Sequence, residues 1–320
     1  MATGLVLKKA QRRKAFLKVG ISAPAGAGKT AGSLLMAYGM MKKKHPSLSD
    51  AQLWEKVAII DSENGSGELY VHADIGGTHI GEYLAITLEA PFTAEKYISA
   101  IEMCEQNNVE VIIIDSTTHL WSGEGGLLEK QNTIVAKSKS GNSYTAWREV
   151  TPDHNRFVEK MLQANAHVIA TIRSKMEYVQ EKDEQGNTRV KKIGLKPVQR
   201  DGMEYEFTLF LDIDENHRAV ASKDRTSLLD GKLFTVNPKI GMDLMTWLES
   251  GTDNATTIIA NTKSAGEVKS EIKSLMEANP SKKEDFTALF KKYDEQGNPN
   301  NLSVEQLVNL LDEMKKVKGE

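Results

Sequence analysis

Between residues 23 and 30 the chain reads Ala23-Pro24-Ala25-Gly26-Ala27-Gly28-Lys29-Thr30, a set of residue types that can do chemistry on a phosphate. Small residues let backbone N–H groups close around a phosphate oxygen, a terminal lysine reaches the β and γ oxygens, and the hydroxyl beside it can ligate Mg²⁺. With Ala31 added, residues 24 to 31 form the candidate binding stretch for ATP and Mg²⁺. The run departs from the usual spacing of such loops only in having Ala23 where a glycine is common. A loop of this kind must lie between a strand and a helix, whose N-terminus adds its dipole to the cradle.

Two acids are placed to work with it. Asp115 ends the apolar run Val111-Ile112-Ile113-Ile114, and a carboxylate at the end of a buried strand can hold Mg²⁺ through water. The next residue is Ser116 and not an acid, so a hydrolytic base has to come from elsewhere. The run Ile59-Ile60-Asp61-Ser62-Glu63 supplies one, with Glu63 just past a strand end, where it can orient and deprotonate a water.

The elements needed to position these residues can be read from the pattern. Short apolar runs alternate with helical periodicity from about 15 to 250, which predicts an α/β fold with a mostly parallel sheet flanked by helices. Strands are expected at Ala15–Ser22, Val57–Asp61, Tyr83–Leu88, Val109–Asp115, His167–Ile172, Tyr205–Asp212 and Arg218–Ser222. Met176–Gln180 and Arg189–Ile193 flank Asp183–Asn187 and predict a hairpin with a polar turn. Helices are expected from the loop to about Lys43, from a Thr93 cap to about Asn107, and over Ile240–Glu249. Thr151-Pro152-Asp153 reads as an N-cap with proline at the first helical position, opening a helix to about Asn165. The expected division is a basic arm over 1–14, an ATPase core over 15–250, a polar linker over 251–264 and a helical appendage over 265–320.

Composition bounds the rest. The chain has 320 residues, a formal net charge of −3 and one cysteine, Cys104. A single cysteine excludes an intramolecular disulfide or a cysteine-cluster metal site and suits a reducing cytoplasm. The strand cores are too short to span a bilayer, and the basic N-terminus is followed by no apolar leader, so neither membrane nor secretion is expected. Lys8, Lys9, Arg12, Arg13, Lys14 and Lys18 crowd the first 18 residues without an acid, an arm suited to phosphates or to solvent alike. The seven histidines hold no HExxH pair.

Taken together, the loop, Glu63 just after the second strand and the Asp115-Ser116 strand end resemble the RecA-type ATPase core. The resemblance implies that Thr171, in Ile169-Ala170-Thr171-Ile172-Arg173, is the polar sensor, and that Tyr70 stacks on adenine. It implies that Lys223 and Arg225, in Lys223-Asp224-Arg225, reach the γ-phosphate of a neighbouring subunit, which makes the active protein an oligomer. Over 15–250 the chain is similar to phage RecA-core ATPases that include single-strand annealing ATPases. That narrower likeness rests on Asp61-Ser62-Glu63-Asn64-Gly65, on Glu204-Tyr205-Glu206-Phe207 and on the Lys-Asp-Arg-Thr run.

In the RecA family the loops after the Asp-Ser and sensor strands face DNA, which here implies Ser122–Arg148 and Ser174–Arg200. The first holds Lys130, Lys137, Lys139, Tyr144, Trp147 and Arg148; the second holds Arg189, Lys191, Lys192, Lys196 and Arg200. Basic residues interleaved with aromatics grip a phosphate backbone and stack bases. Charged hairpin strands equally protect an exposed sheet edge. The expected function is Mg²⁺-dependent ATP hydrolysis by an oligomer acting on single-stranded DNA in phage recombination or replication. The alternative is a nucleotide-gated module that docks a helicase or recombinase with little hydrolysis. A small-molecule kinase would need an arginine-rich lid and an acceptor pocket, neither of which the sequence displays.

Overall fold

The computed structural model describes residues 14–138, 141–182, 188–251, 265–294, 298–299, 301–302 and 304–318. Two compact units divide it, one of them Ala15–Ser250 and the other containing Gly251–Glu320.

In the larger unit the elements run β1 (Lys18–Ala23), α1 (Lys29–Lys44), α2 (Asp50–Trp54), β2 (Val57–Asp61), β3 (Asp74–Ile75), β4 (Thr78–His79) and β5 (Leu84–Thr87). They continue as α3 (Ala94–Gln106), β6 (Val111–Asp115), α4 (Thr118–Ser122), α5 (Leu127–Lys137), α6 (Ser143–Gln163), β7 (His167–Lys182) and β8 (Thr188–Pro197). The unit closes with β9 (Leu209–Ile213), β10 (Ala219–Asp224) and α7 (Pro238–Glu249). The main sheet has the order β10-β9-β1-β7-β6-β2-β5, with β8 paired to β7. Its pairs from β9 to β5 are parallel, and β10 alone on this path is antiparallel to its neighbour. This mixed α/β architecture, a mostly parallel sheet flanked by helices, is the fold class expected from the sequence, and it places β7 between the loop strand β1 and the acid strand β6.

Alternation along the strands feeds two apolar layers. Ile21, Ile59, Ile113, Ile169 and Leu211 pack with Leu34, Met36 and Met40 of α1 and Leu244 of α7. Ile60, Ile112, Ile114, Val168 and Phe210 pack on the opposite face with Tyr97 of α3 and Phe157 of α6. Helices α1 and α7 approach so closely that a Cβ on Gly241 would stand 2.1 Å from the carbonyl oxygen of Met36. Thr93 caps α3 as expected, its hydroxyl accepting the N–H of Lys96.

Four expectations are corrected. Pro152 lies inside α6 and does not open it; the helix starts at Ser143, capped by the Asn142 side chain. Its buried face, Ala146, Val150, His154, Phe157 and Met161, keeps helical spacing straight through the proline, and that burial outweighs the lost backbone hydrogen bond. Much of Ser122–Arg148, expected as a loop, is helical, forming α5 and the first turns of α6. Tyr205 does not begin a strand, because Met203–Glu206 is a 3₁₀ turn and β9 starts at Leu209. The first strand likewise begins at Lys18 and not at Ala15.

In the smaller unit, α8 (Ala265–Ala278), α9 (Lys283–Tyr293) and α10 (Val304–Lys318) are described. They enclose their own core of Val268, Ile272, Phe286, Phe290, Leu307, Leu310, Leu311 and Met314. Among the described residues, no helix is long and apolar enough to cross a membrane.

Candidate functional site

The site lies at the carboxyl edge of the parallel strands, where strand register decides which residues stand level. Ile21 pairs with Thr171, Ile114 with Ala170, and Asp61 with Asp115, so Thr171, Asp115 and Asp61 arrive at one height beside the exit of β1. Crevices at that edge are where open α/β sheets hold ligands.

The loop leaving β1 turns through Gly26 (φ 80°) and Gly28 (φ 90°) into α1. That left-handed backbone is open to glycine without penalty. Lys29 folds back on the loop, its Nζ donating to the carbonyls of Ala23 (3.2 Å) and Pro24 (3.0 Å). Burial holds its ammonium below the usual lysine value, against the opposing charges of Glu63 and Asp115. Pro24 and Ala31 are partly buried, Ala25 and Gly26 exposed, and Ala27 buried.

Asp115 is the hub. Its Oδ2 accepts from Thr30 Oγ1 and its Oδ1 from Thr171 Oγ1, each at 2.5 Å. The carboxyl is 1% exposed; burial raises its pKa, opposed by those two hydrogen bonds. Two hydroxyls and a carboxylate form a hard oxygen donor set, which fits Mg²⁺. Thr30 would bind it directly and Asp115 through water. Among the described residues no cluster of three or more His, Cys, Asp or Glu that could hold a metal is found.

Glu63 is held from both ends. Asp61 accepts the backbone N–H of Glu63 on Oδ1 (2.5 Å) and that of Gly67 on Oδ2 (2.7 Å), fixing the turn after β2. The Glu63 carboxylate accepts from Arg173 Nε at 2.7 Å. Burial pushes its pKa up, but the hydrogen bond and charge of Arg173, with Ser116 and Lys29, outweigh it and leave the carboxyl below its ordinary value. Ser62 Oγ donates to the Ser116 carbonyl (3.0 Å), tying the same turn to the end of β6.

Tyr70 ends the 3₁₀ turn Ser66–Tyr70 and is half-buried against the core. Burial raises its phenol, with smaller contributions from Asp115 and Glu63. Lys223 and Arg225 are elsewhere. Lys223 pairs with Phe210, Asp224 with Leu209, and Leu209 with Val19, at the start of β1. They therefore stand at the opposite end of the sheet from their own phosphate loop, about 13 Å away along the strand direction alone. Asp224 between them accepts from the N–H groups of Thr226 (2.7 Å) and Leu229 (2.8 Å). Lys223 donates to the Tyr205 carbonyl, and Arg225 is exposed.

The expected DNA-contacting residues are spread over two places. Lys137 ends α5; Tyr144 (79% exposed) and Arg148 lie on the first turns of α6. Trp147 is half-buried, one ring face stacked on Trp121 at 5.5 Å. Lys130 is ion-paired to Asp153. Arg189, Lys191 and Lys192 lie on β8, paired with Glu181, Val179 and Tyr178 of β7. Lys139, the turn 183–187 and the arm residues before Lys14 lie outside the described residues.

Sequence reasoning missed three residues. Asp61 and Arg173 stand beside motif residues in the sequence and belong to no motif of their own. His217, in the β9–β10 turn, is near the loop, its Nδ1 3.4 Å from where a Cβ on Gly28 would be. Arg173 and His217 meet residues distant in sequence, which no local pattern marks, whereas Asp61 holds the turn that directly follows it.

A family model described as AAA domain matches residues 15–233. Among solved structures, the chain is similar to a KaiC-like protein from the hyperthermophilic archaeon Pyrococcus horikoshii OT3, at 11% identity and a TM-score of 0.37. That likeness covers 72% of this chain and 96% of the other. No curated protein matches the chain.

Proposed function

The chain belongs to the AAA domain family, and from that premise we propose that it hydrolyses ATP between subunits of an oligomer and acts on single-stranded DNA in phage recombination or replication. The observation that carries the hydrolytic part is the convergence of Lys29, Thr30, Asp115, Thr171 and Glu63 at one strand edge. Lys29 leaves the loop carbonyls to meet the β and γ oxygens, and the loop N–H groups with the α1 dipole hold the phosphates. Glu63 orients the attacking water and takes its proton, giving in-line displacement at the γ-phosphate. Bound Mg²⁺ would neutralise charge developing on the β and γ oxygens. Thr171, bonded to Asp115, reports the state of that centre to β7. Tyr70 is the ring offered to adenine.

The position of the cations supports the oligomeric reading. Lys223 and Arg225 stand at the far end of the sheet from their own loop, and this favours their acting on the nucleotide of a neighbour, as an arginine finger does. The DNA part is supported by the exposed Tyr144 and Arg148 on α6 and by the basic composition of β8.

The deciding measurement is ATP turnover with and without single-stranded DNA at low and moderate salt. Stimulation that fades as salt rises is expected, because phosphate contacts release counterions. Steady turnover indifferent to DNA would overturn the DNA reading and point to a protein partner. Negligible turnover together with nucleotide-dependent assembly would replace the enzyme by a nucleotide-gated docking module.

A further inference from the structure

Helix α6 and the segment that ends in the Met203–Glu206 turn enclose a cleft of about 580 Å³, the size of pockets that hold small ligands. It is separate from the candidate nucleotide site, since none of Lys29, Thr30, Glu63, Asp115 and Thr171 lines it. His154, Val158 and Leu162 follow one another at four-residue spacing on α6 and form one wall. Met203 adds apolar surface from the turn, and Glu159 and Glu206 bring a carboxylate from each side.

His154 is the buried polar group of this cleft, only 7% exposed. Its Nε2 has no hydrogen-bond partner among the described residues, and a buried polar atom left so costs free energy until a partner meets it. Burial, helped by the charge of Arg200, brings the ring down to about 4, so it is neutral at pH 7. A hydrogen bond with the Asn155 side chain opposes that shift, the sign of a ring N–H donating to it. A neutral imidazole carries one N–H. With Nδ1–H given to Asn155, Nε2 keeps its lone pair and can only accept.

The other polar groups narrow the ligand. Asp201 is paired with Lys196 at 3.2 Å, and Glu159 accepts the Gln163 amide at 3.1 Å. The cleft therefore sets a lone pair and the carboxylates of Glu159 and Glu206 against one cation, Arg200. A phosphate or a carboxylate would meet like charges there, which disfavours nucleic acid. A guanidinium has five N–H donors and no acceptor, and its planar fork reaches acceptors that stand on different elements. Its methylene stem packs well on apolar surface, which Val158, Leu162 and Met203 supply.

We propose that this cleft is a docking site for an arginine side chain carried by a partner protein, with the stem on Val158, Leu162 and Met203 and the guanidinium donating to His154 Nε2, Glu159 and Glu206. The site is independent of ATP hydrolysis, and its test needs no turnover.

The probe is N-acetyl-arginine amide, titrated into the full chain labelled with ¹³C at the methionine methyls. Met203 lines the cleft and reports occupancy; Met203→Leu identifies its signal. A saturable shift of the Met203 methyl is expected. N-acetyl-citrulline amide, of the same shape but uncharged, should bind at least about fivefold more weakly. His154→Phe removes the acceptor and is expected to weaken binding about tenfold. Glu206 is exposed, so Glu206→Gln carries the test if His154→Phe fails to fold; a loss of about two- to fivefold is expected. Arg200→Gln removes the opposing cation and should tighten binding by a similar factor, which a merely structural role for these residues would not produce.

No saturable shift of Met203 would overturn the proposal, as would equal affinity for the citrulline amide. Affinity unchanged in Glu206→Gln and unchanged or weakened in Arg200→Gln would do the same. Tighter binding of spermidine than of the arginine amide would replace the protein side chain by a polyamine.

Discussion

Thr171 donates its hydroxyl hydrogen to Oδ1 of Asp115 at 2.5 Å, across two neighbouring strands and 56 residues of sequence. The other carboxylate oxygen takes the hydroxyl of Thr30 at the same distance. One buried carboxylate therefore ties the phosphate loop to the strand that becomes the hairpin.

Removing one of those donors leaves a buried acceptor unsatisfied. Thr171→Val is expected to lower unfolding free energy by about 1–3 kcal/mol, read by denaturant titration, and to reduce kcat more than ATP affinity. Thr171→Ser keeps the hydroxyl and should stay close to wild type. A valine variant as stable and active as the parent would refute the role given to this hydrogen bond.

The placement of Arg225 predicts complementation. Lys29→Ala and Arg225→Ala are each expected to lose at least about a hundredfold in turnover. Mixed in equal amounts and allowed to reassemble, they should regain activity at about a quarter of sites, those pairing an intact loop with an intact neighbouring cation. Mixtures as inactive as their components would argue that the cation does not act between subunits.

Packing of α1 against α7 gives a third expectation. A Cβ on Gly241 would stand 2.1 Å from the Met36 carbonyl oxygen and 2.8 Å from the Met40 nitrogen. Backbone cannot yield as a side-chain tip does, so Gly241→Ala should cost about 1–3 kcal/mol, visible as a lowered melting temperature. An unchanged melting temperature would mean that the two helices separate freely.

Acid stability should depend on Glu110. Burial pushes its carboxyl up, but hydrogen bonds and charge from Lys44 and His45 outweigh this and bring it down to about 2 from its ordinary value of 4.5; Lys44 lies at 2.7 Å and His45 at 2.9 Å. A carboxyl lowered on folding adds stability that is complete above its unfolded value and lost as pH falls through its folded one. Discounted for solvent screening, that is about 1–2 kcal/mol. The stability gap between wild type and Glu110→Gln should thus be full above pH 4.5 and close as pH approaches 2. A gap independent of pH over that window would dismiss the ion cluster as its source.

Much of this was legible in order of sequence. The small-residue run ending in Lys29-Thr30 announces its own turn, because only small residues and glycine tolerate backbone that tight. The branched apolar runs ending at Asp61 and Asp115 announce buried strands, and Thr93 announces the start of α3. The start of α6 was not legible, because proline is a strong local signal for a first turn and the burial that overrides it extends toward Ser143.

Pairings across the sheet belong to another class. Hydrophobic period says that a strand is buried and says nothing about which strand lies beside it. That β7 lies between β1 and β6 brings Thr171 to Asp115 and Arg173 to Glu63. That β10 runs antiparallel to β9 carries Lys223 and Arg225 away from their own loop. The chemical groups and the elements that bear them are legible along the chain, since both follow from local sterics and side-chain polarity. Tertiary structure alone decided which groups meet, because strand order is set by packing between segments distant in the chain, where no single segment holds the information.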